Sequence, residues 1–182
     1  MQQLASALVV LVPEAENLVQ PFRAKFDPSA AQGMPAHITL LFPFLHPDEI
    51  DARVQHELQA CFAGRPRFHF SLTTIRRFQP GVLYLVPDPD VPFREITRAI
   101  WDGYPETPPY GGKFTHTIPH LTVAQVEGRE LLDPVAEAFM RASDGKLPIR
   151  STATEVALMD NRSGRWQVRY LFSLANSGRI GP

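Results

Sequence analysis

Two short stretches of the chain read alike: Pro35-Ala36-His37-Ile38-Thr39-Leu40 and Pro119-His120-Leu121-Thr122-Val123. Each sets a threonine two positions after a histidine, with an apolar residue between them and another after. In an extended strand alternate side chains share a face, so each stretch presents an imidazole beside a hydroxyl while Ile38 and Leu121 turn the other way into packing. Histidine, with an unperturbed pKa of about 6.5, can give or take a proton at neutral pH. Two imidazoles on opposite sides of a phosphorus atom would supply both proton transfers that phosphodiester cleavage needs. Hydroxyls aimed at the non-bridging oxygens would stabilise the charge that develops. His37, His120, Thr39 and Thr122 are therefore the candidate catalytic group.

The surrounding pattern predicts what must position them. Leu4 to Val12 is an apolar, β-branched strand closed by Pro13, and Leu18, Phe22 and Phe26 then recur at helical spacing up to Pro28. The strand AHITLLFPF follows, then a helix opened by Pro47 with Ile50, Val54, Leu58 and Phe62 on one stripe. Phe68, Phe70 and Leu72 alternate with polar residues as in a half-buried strand. The order repeats after Gln79-Pro80-Gly81: strand VLYLV, a helix from about Pro92, strand PHLTVAQV, and a helix marked by Leu131, Leu132, Val135 and Phe139. A long strand over Ile149 to Met159 and a final one alternating Trp166, Val168, Tyr170, Phe172 and Leu174 complete the chain. Two successive βαβαβ units are thus expected, at about 1–78 and 79–174, with 175–182 as a frayed tail. The implied class is α+β, a single domain of two pseudo-symmetric lobes. Each lobe would be a small, mostly antiparallel sheet with helices on its outer face and the site in the groove between. A doubly wound sheet is less well supported, because no glycine-rich turn follows the first strand.

Composition narrows the partners. With 182 residues and 44% hydrophobic content the chain can build one real core. Its 18 basic and 19 acidic residues leave a net charge of −1, which lacks the positive field of long-duplex binders, so a nucleic-acid ligand should be short or terminal. Cys61, the sole cysteine, suits a reducing compartment. The apolar run near the N-terminus has no basic flank, which fits a strand better than a signal peptide, and no run reaches the roughly 18 residues of a membrane span. A cytoplasmic location is expected. No HExxH, CxxC or GxSxG spacing occurs, so the chemistry is expected to need no metal, cofactor or serine nucleophile.

On the paired H-x-T motifs and the duplicated layout, the chain resembles the 2H phosphoesterase superfamily, nearest its 2′-5′ RNA ligase-like and cyclic phosphodiesterase branch. The resemblance runs from the first strand to about residue 174. It implies metal-free hydrolysis of cyclic phosphates such as 2′,3′-cyclic nucleotides by a monomer, on a nucleotide or RNA end. His37 and His120 would then be catalytic, with Thr39 and Thr122 holding the phosphate. The second-lobe histidine would activate water and the first would assist the leaving oxygen. Many members carry an arginine just beyond the second motif; this chain has Ala124-Gln125.

Other residues are candidates for substrate contact. Phe114, Tyr110 and Phe42 could stack on a base, Phe114 foremost; core packing competes for Phe42 and for its neighbour Phe44. The Pro- and Gly-rich segment 104–117 has the profile of a binding loop. Arg76, Arg77, Arg162 and Arg165 could meet a terminal phosphate, against the alternative of solvated surface charge. His46 and His116 lack the following threonine, and His56 and His69 fall on polar faces. A non-catalytic nucleotide or RNA-end binding module on the same fold is the main alternative function, and a plain interaction domain the third.

Overall fold

The computed structural model describes residues 4–114 and 117–176. His116 and the last part of the expected frayed tail lie outside them. The strands are β1 (Ser6–Leu11), β2 (His37–Leu41), β3 (Phe68–Phe78), β4 (Val82–Asp88), β5 (Leu121–Gln125), β6 (Ile149–Ala153), β7 (Glu155–Asp160) and β8 (Gln167–Ser173). The helices are α1 (Glu16–Phe26), the four-residue α2 (Pro28–Ala31), α3 (Ala52–Ala63), α4 (Val91–Gly103) and α5 (Arg129–Ser143). Local chemistry sets several of these boundaries. Asp51 caps α3 by accepting from the Val54 N–H at 2.9 Å, and Pro92 fits the first turn of α4, where an N–H would be unpaired in any case.

The eight strands form one sheet in the order β6-β3-β4-β5-β2-β1-β7-β8, and every pairing is antiparallel. Helices α1, α3, α4 and α5 all pack on one face. There Leu8, Val10, Ile38, Leu40, Leu83, Leu85, Leu121 and Val123 meet Val19, Leu58, Phe62, Phe93, Ile100 and Phe139 in the main core. The other face is the one that carries the histidines. This is the α+β architecture expected, with helices outside.

The structure corrects two details of the topology. The run 149–159 is two strands, not one: the chain breaks at exposed Thr154, so that β6 pairs with β3 while β7 pairs with β1. Residues adjacent in sequence thus sit in the first and the next-to-last strands of the order, which requires the sheet to curl until they meet. Nor do the units of chain order coincide with the halves of the sheet. A short Gln79–Gly81 turn joins β3 to β4 and forces them to pair, so β3 lies with β4, β5 and β6, while β7 and β8 join β1 and β2. Hydrophobic periodicity reports the face a residue takes and says nothing of a strand's partner.

Gly81 locks this arrangement. Its carbonyl accepts from the Val126 N–H at 2.9 Å, and a Cβ built on it would lie 1.9 Å from the Val126 carbonyl oxygen, with backbone as the obstacle. Gly81→Ala is expected to destabilise the fold by about 1–3 kcal/mol or more by forcing β5 away from the β3–β4 turn. Urea denaturation would measure this, and an unchanged midpoint would show that the approach is not needed.

Candidate active site

Strands β2 and β5 meet through one paired register, Ile38 opposite Leu121, and both side chains are fully buried. Because strand side chains alternate, His37, Thr39, His120 and Thr122 all emerge on the opposite face. Antiparallel pairing sets His37 toward Thr122 and Thr39 toward His120. The two histidines are then diagonal neighbours, for which sheet geometry gives about 7–8 Å between Cβ atoms. The structure therefore brings the four sequence-predicted residues to one face at the seam of the sheet.

Both imidazoles are anchored by the same device. His37 Nδ1 lies 2.7 Å from the Pro35 carbonyl oxygen, and His120 Nδ1 lies 2.6 Å from that of Ile118, in each case two residues upstream. A carbonyl only accepts, so Nδ1 carries the hydrogen and the neutral ring keeps its lone pair on Nε2. The Pro35-Ala36 entry to β2 is itself held, because the Ala36 N–H donates to Glu16 Oε1 at 2.5 Å.

The surroundings of the two rings differ. Burial holds the His37 pKa down to about 4; the Arg23 guanidinium adds to this, as does His120, while the Pro35 bond and Asp27 oppose it. Burial also lowers His120, against the Ile118 bond. Arg23 is 2% exposed, donating from Nε to Asp27 Oδ2 at 2.9 Å and from Nη2 to the Met34 carbonyl at 3.0 Å. His120 sits instead against aromatics. Phe78 and Tyr84 stack at 4.0 Å between centroids, and the imidazole meets them at steep angles, 5.0 Å from Phe78 and 5.3 Å from Tyr84. Tyr84 is registered with Thr122 and Arg76 with Tyr84, so all three share the histidine face.

Of the other candidates, Phe42 packs edge-on to Trp166 at 6.1 Å, beside a small buried cluster of Ala7, Val9, Met34, Ala157 and Met159. Val9 is registered with Thr39, which makes this cluster the apolar floor of the first-lobe side. Phe44 belongs to the main core. Tyr110 reaches the site: its phenol is hydrogen-bonded with Thr39 and its N–H donates to the Phe42 carbonyl at 2.6 Å. Phe114 is 63% exposed and edge-on to Tyr110 at 5.6 Å. Two of the four arginines are committed elsewhere, Arg77 to Asp133 of α5 and Arg162 to the Pro47 carbonyl and Asp48. Arg165 is exposed beside Gly33, and Arg76, also exposed, acts electrostatically on Tyr84. His46 caps the Pro47–Glu49 turn by accepting from the Asp48 N–H, His69 bonds Thr152 at 2.8 Å, and His56 is exposed on α3. Sequence reading missed Phe78, Tyr84, Trp166, Arg23 and Asp27 as neighbours of the site; for Phe78 and Tyr84 strand alternation was the only available signal. Among the described residues no group of three or more His, Cys, Asp or Glu side chains could hold a metal ion, and no helix is long and apolar enough to cross a membrane.

This fold and this pair of strands define the class. The family model of the 2′-5′ RNA ligase superfamily matches residues 11–165, and the chain belongs to that superfamily, within the 2H phosphoesterases. Among solved structures, the fold is similar to that of Escherichia coli LigT complexed with 3′-AMP (TM-score 0.58, 15% identity, covering 95% of this chain and 99% of that one). It is also similar to TT0787 of Thermus thermophilus (TM-score 0.60, 17% identity, 96% and 100% covered) and to LigT complexed with ATP (0.53, 18%, 94% and 97%). No curated protein matches the chain.

His37 also couples stability to pH. Its folded pKa lies below the unfolded value, so the unfolded chain binds the extra proton and stability falls as pH drops from 6.5 toward 4. The expected loss through this residue is about 3 kcal/mol. Chemical denaturation at several pH values should therefore show a flatter acid limb for His37→Gln than for wild type; identical limbs would mean the ring is not held neutral.

Proposed function

We propose that the chain is a metal-independent phosphoesterase that hydrolyses a cyclic phosphodiester of the 2′,3′ type, or a 2′-5′ linkage, in a nucleotide or RNA end. The observation that supports this most is the twice-repeated anchoring of a histidine by the carbonyl two residues before it, on one face and with a threonine beside each ring. One Nε2 takes a proton from water as the water oxygen bonds to phosphorus. The other imidazole delivers a proton to the ribose oxygen as the P–O bond breaks, leaving a phosphomonoester. Thr39 and Thr122 donate to the non-bridging oxygens. Both rings are neutral in the free site, and the negative charge of a bound phosphate raises their pKa values, so that one is protonated in the complex.

The apolar floor beside Phe42 and Trp166, with exposed Phe114 above, offers the base somewhere to lie, and LigT's complexes with 3′-AMP and ATP are in keeping with a nucleotide ligand. The free, half-buried Cys61 suits the reducing cytoplasm.

Hydrolysis of 2′,3′-cyclic nucleotides in excess chelator tests this reading. Wild type is expected to turn over, and His37→Ala and His120→Ala are each expected to lose about 10²- to 10⁴-fold. Activity abolished by the chelator sinks the metal-free claim. Activity surviving both substitutions sinks the site, and nucleotide binding without turnover replaces the enzyme with a binding module.

A further inference from the structure

The segment between α4 and β5 carries a residue in a conformation that costs free energy. Tyr110 has φ 54° and ψ 31°, the only positive φ at a non-glycine among the described residues, and it is followed by left-handed Gly111 and Gly112. A bulky side chain in that region is disfavoured by roughly 1 kcal/mol or more and persists only where its surroundings over-determine it. Three contacts do so. The Tyr110 N–H donates to the Phe42 carbonyl at 2.6 Å, just past the end of β2, and the ring meets Phe114 edge-on. The phenol engages the hydroxyl of Thr39, which stands on the histidine face. The segment is pinned on either side as well: the Thr107 hydroxyl donates to the Tyr104 carbonyl at 2.9 Å, and Arg94 Nη1 donates to that of Thr117 at 2.8 Å.

The strained backbone thus delivers a third hydroxyl to the histidines. A side-chain hydrogen bond with Thr39 favours the deprotonated phenol and places the two hydroxyls side by side. Burial outweighs this bond and raises the phenol above its ordinary value, so the hydrogen stays in place throughout the neutral range.

We propose that Tyr110 is a phosphate-contacting residue: its phenolic O–H donates to a non-bridging oxygen of the substrate phosphate, beside the one to which the Thr39 hydroxyl donates. This rests on the phosphoesterase reading and changes the part expected of Tyr110 from the sequence, since the working group is the hydroxyl and not the ring face.

Tyr110→Phe separates the two roles, because phenylalanine stacks as well as tyrosine and donates nothing. With a 2′,3′-cyclic nucleotide, Tyr110→Phe is expected to lower kcat about 10²-fold, the usual loss for one such donor, with KM within about twofold. Thr39→Val combined with Tyr110→Phe should cost less than the product of the two separate losses, because the hydroxyls act as one unit. Calorimetric binding of 3′-AMP should weaken about tenfold in Tyr110→Phe. Wild-type kcat in Tyr110→Phe, or unchanged 3′-AMP affinity, overturns the proposal. If wild type fails to hydrolyse, the hydrolase reading falls by itself, and the 3′-AMP comparison still decides whether Tyr110 touches phosphate. A melting curve matching wild type shows that any loss is not a folding defect.

Discussion

Ile38 and Leu121 form the only register that joins the two halves of the sheet among the described residues, and the geometry of the site depends on it. Both side chains are fully buried in the main core beneath the helices. A slip of one residue would turn His37, Thr39, His120 and Thr122 into that core and push Ile38 and Leu121 into solvent. Burying an aliphatic side chain is worth roughly 1.5–3 kcal/mol, while burying an unpaired polar ring costs a similar amount, so the two effects choose the same register. Because the pairing is so short, β2 and β5 are free to diverge on either side of it. The packing that stabilises the fold and the placement of the imidazoles are thus one constraint.

The anchoring carbonyls make the histidines equivalent, and their neighbours make them different. Behind His37 stands a guanidinium that is held in place, since Arg23 donates from Nε to Asp27 and from Nη2 to the Met34 carbonyl. Its influence on the ring is therefore through space. Around His120 the neighbours are aromatic and uncharged. The absent arginine beyond the second motif has a related explanation. Ala124 is fully buried and registered with Leu83 on the helix-covered face, so a guanidinium there would be taken out of water. The cation on the groove face comes instead from β3, as Arg76 opposite Tyr84.

How much of this was legible depended on distance along the chain. Strands and helices were readable because periods of two and 3.6 are local, and the H-x-T pairs were readable because two residues suffice to define them. The break at Thr154 was not, since residues on both sides of it are equally strand-like and only the curl of the sheet sends them to different partners. Phe78 and Tyr84 carry no sequence mark of the site; the β3–β4 and β4–β5 registers set them beside His120. Arg23 and Asp27 are spaced i, i+4 like many solvated pairs, and nothing in that spacing reveals that this pair is buried near His37. The aromatics of segment 104–117 stood out by composition, but the placement of the Tyr110 phenol beside Thr39 goes with a left-handed turn that no propensity assigns to tyrosine.

The depressed basicity of both rings constrains how such a site can work. Two fixed imidazolium ions on neighbouring strands would repel each other and would have to be held in a partly dry groove, which is costly. Neutral rings avoid this, and the Nδ1–H anchors ensure that neutrality leaves both Nε2 lone pairs available to the groove. An anion arriving between them changes the balance, because its charge favours protonation of whichever ring it touches. On the proposed function, the proton for acid catalysis would be taken up with the ligand instead of being stored beforehand. On this account the hydroxyls would matter as much as the imidazoles: as neutral donors they would stabilise the anion without adding a positive charge that would push the ring pKa values lower still.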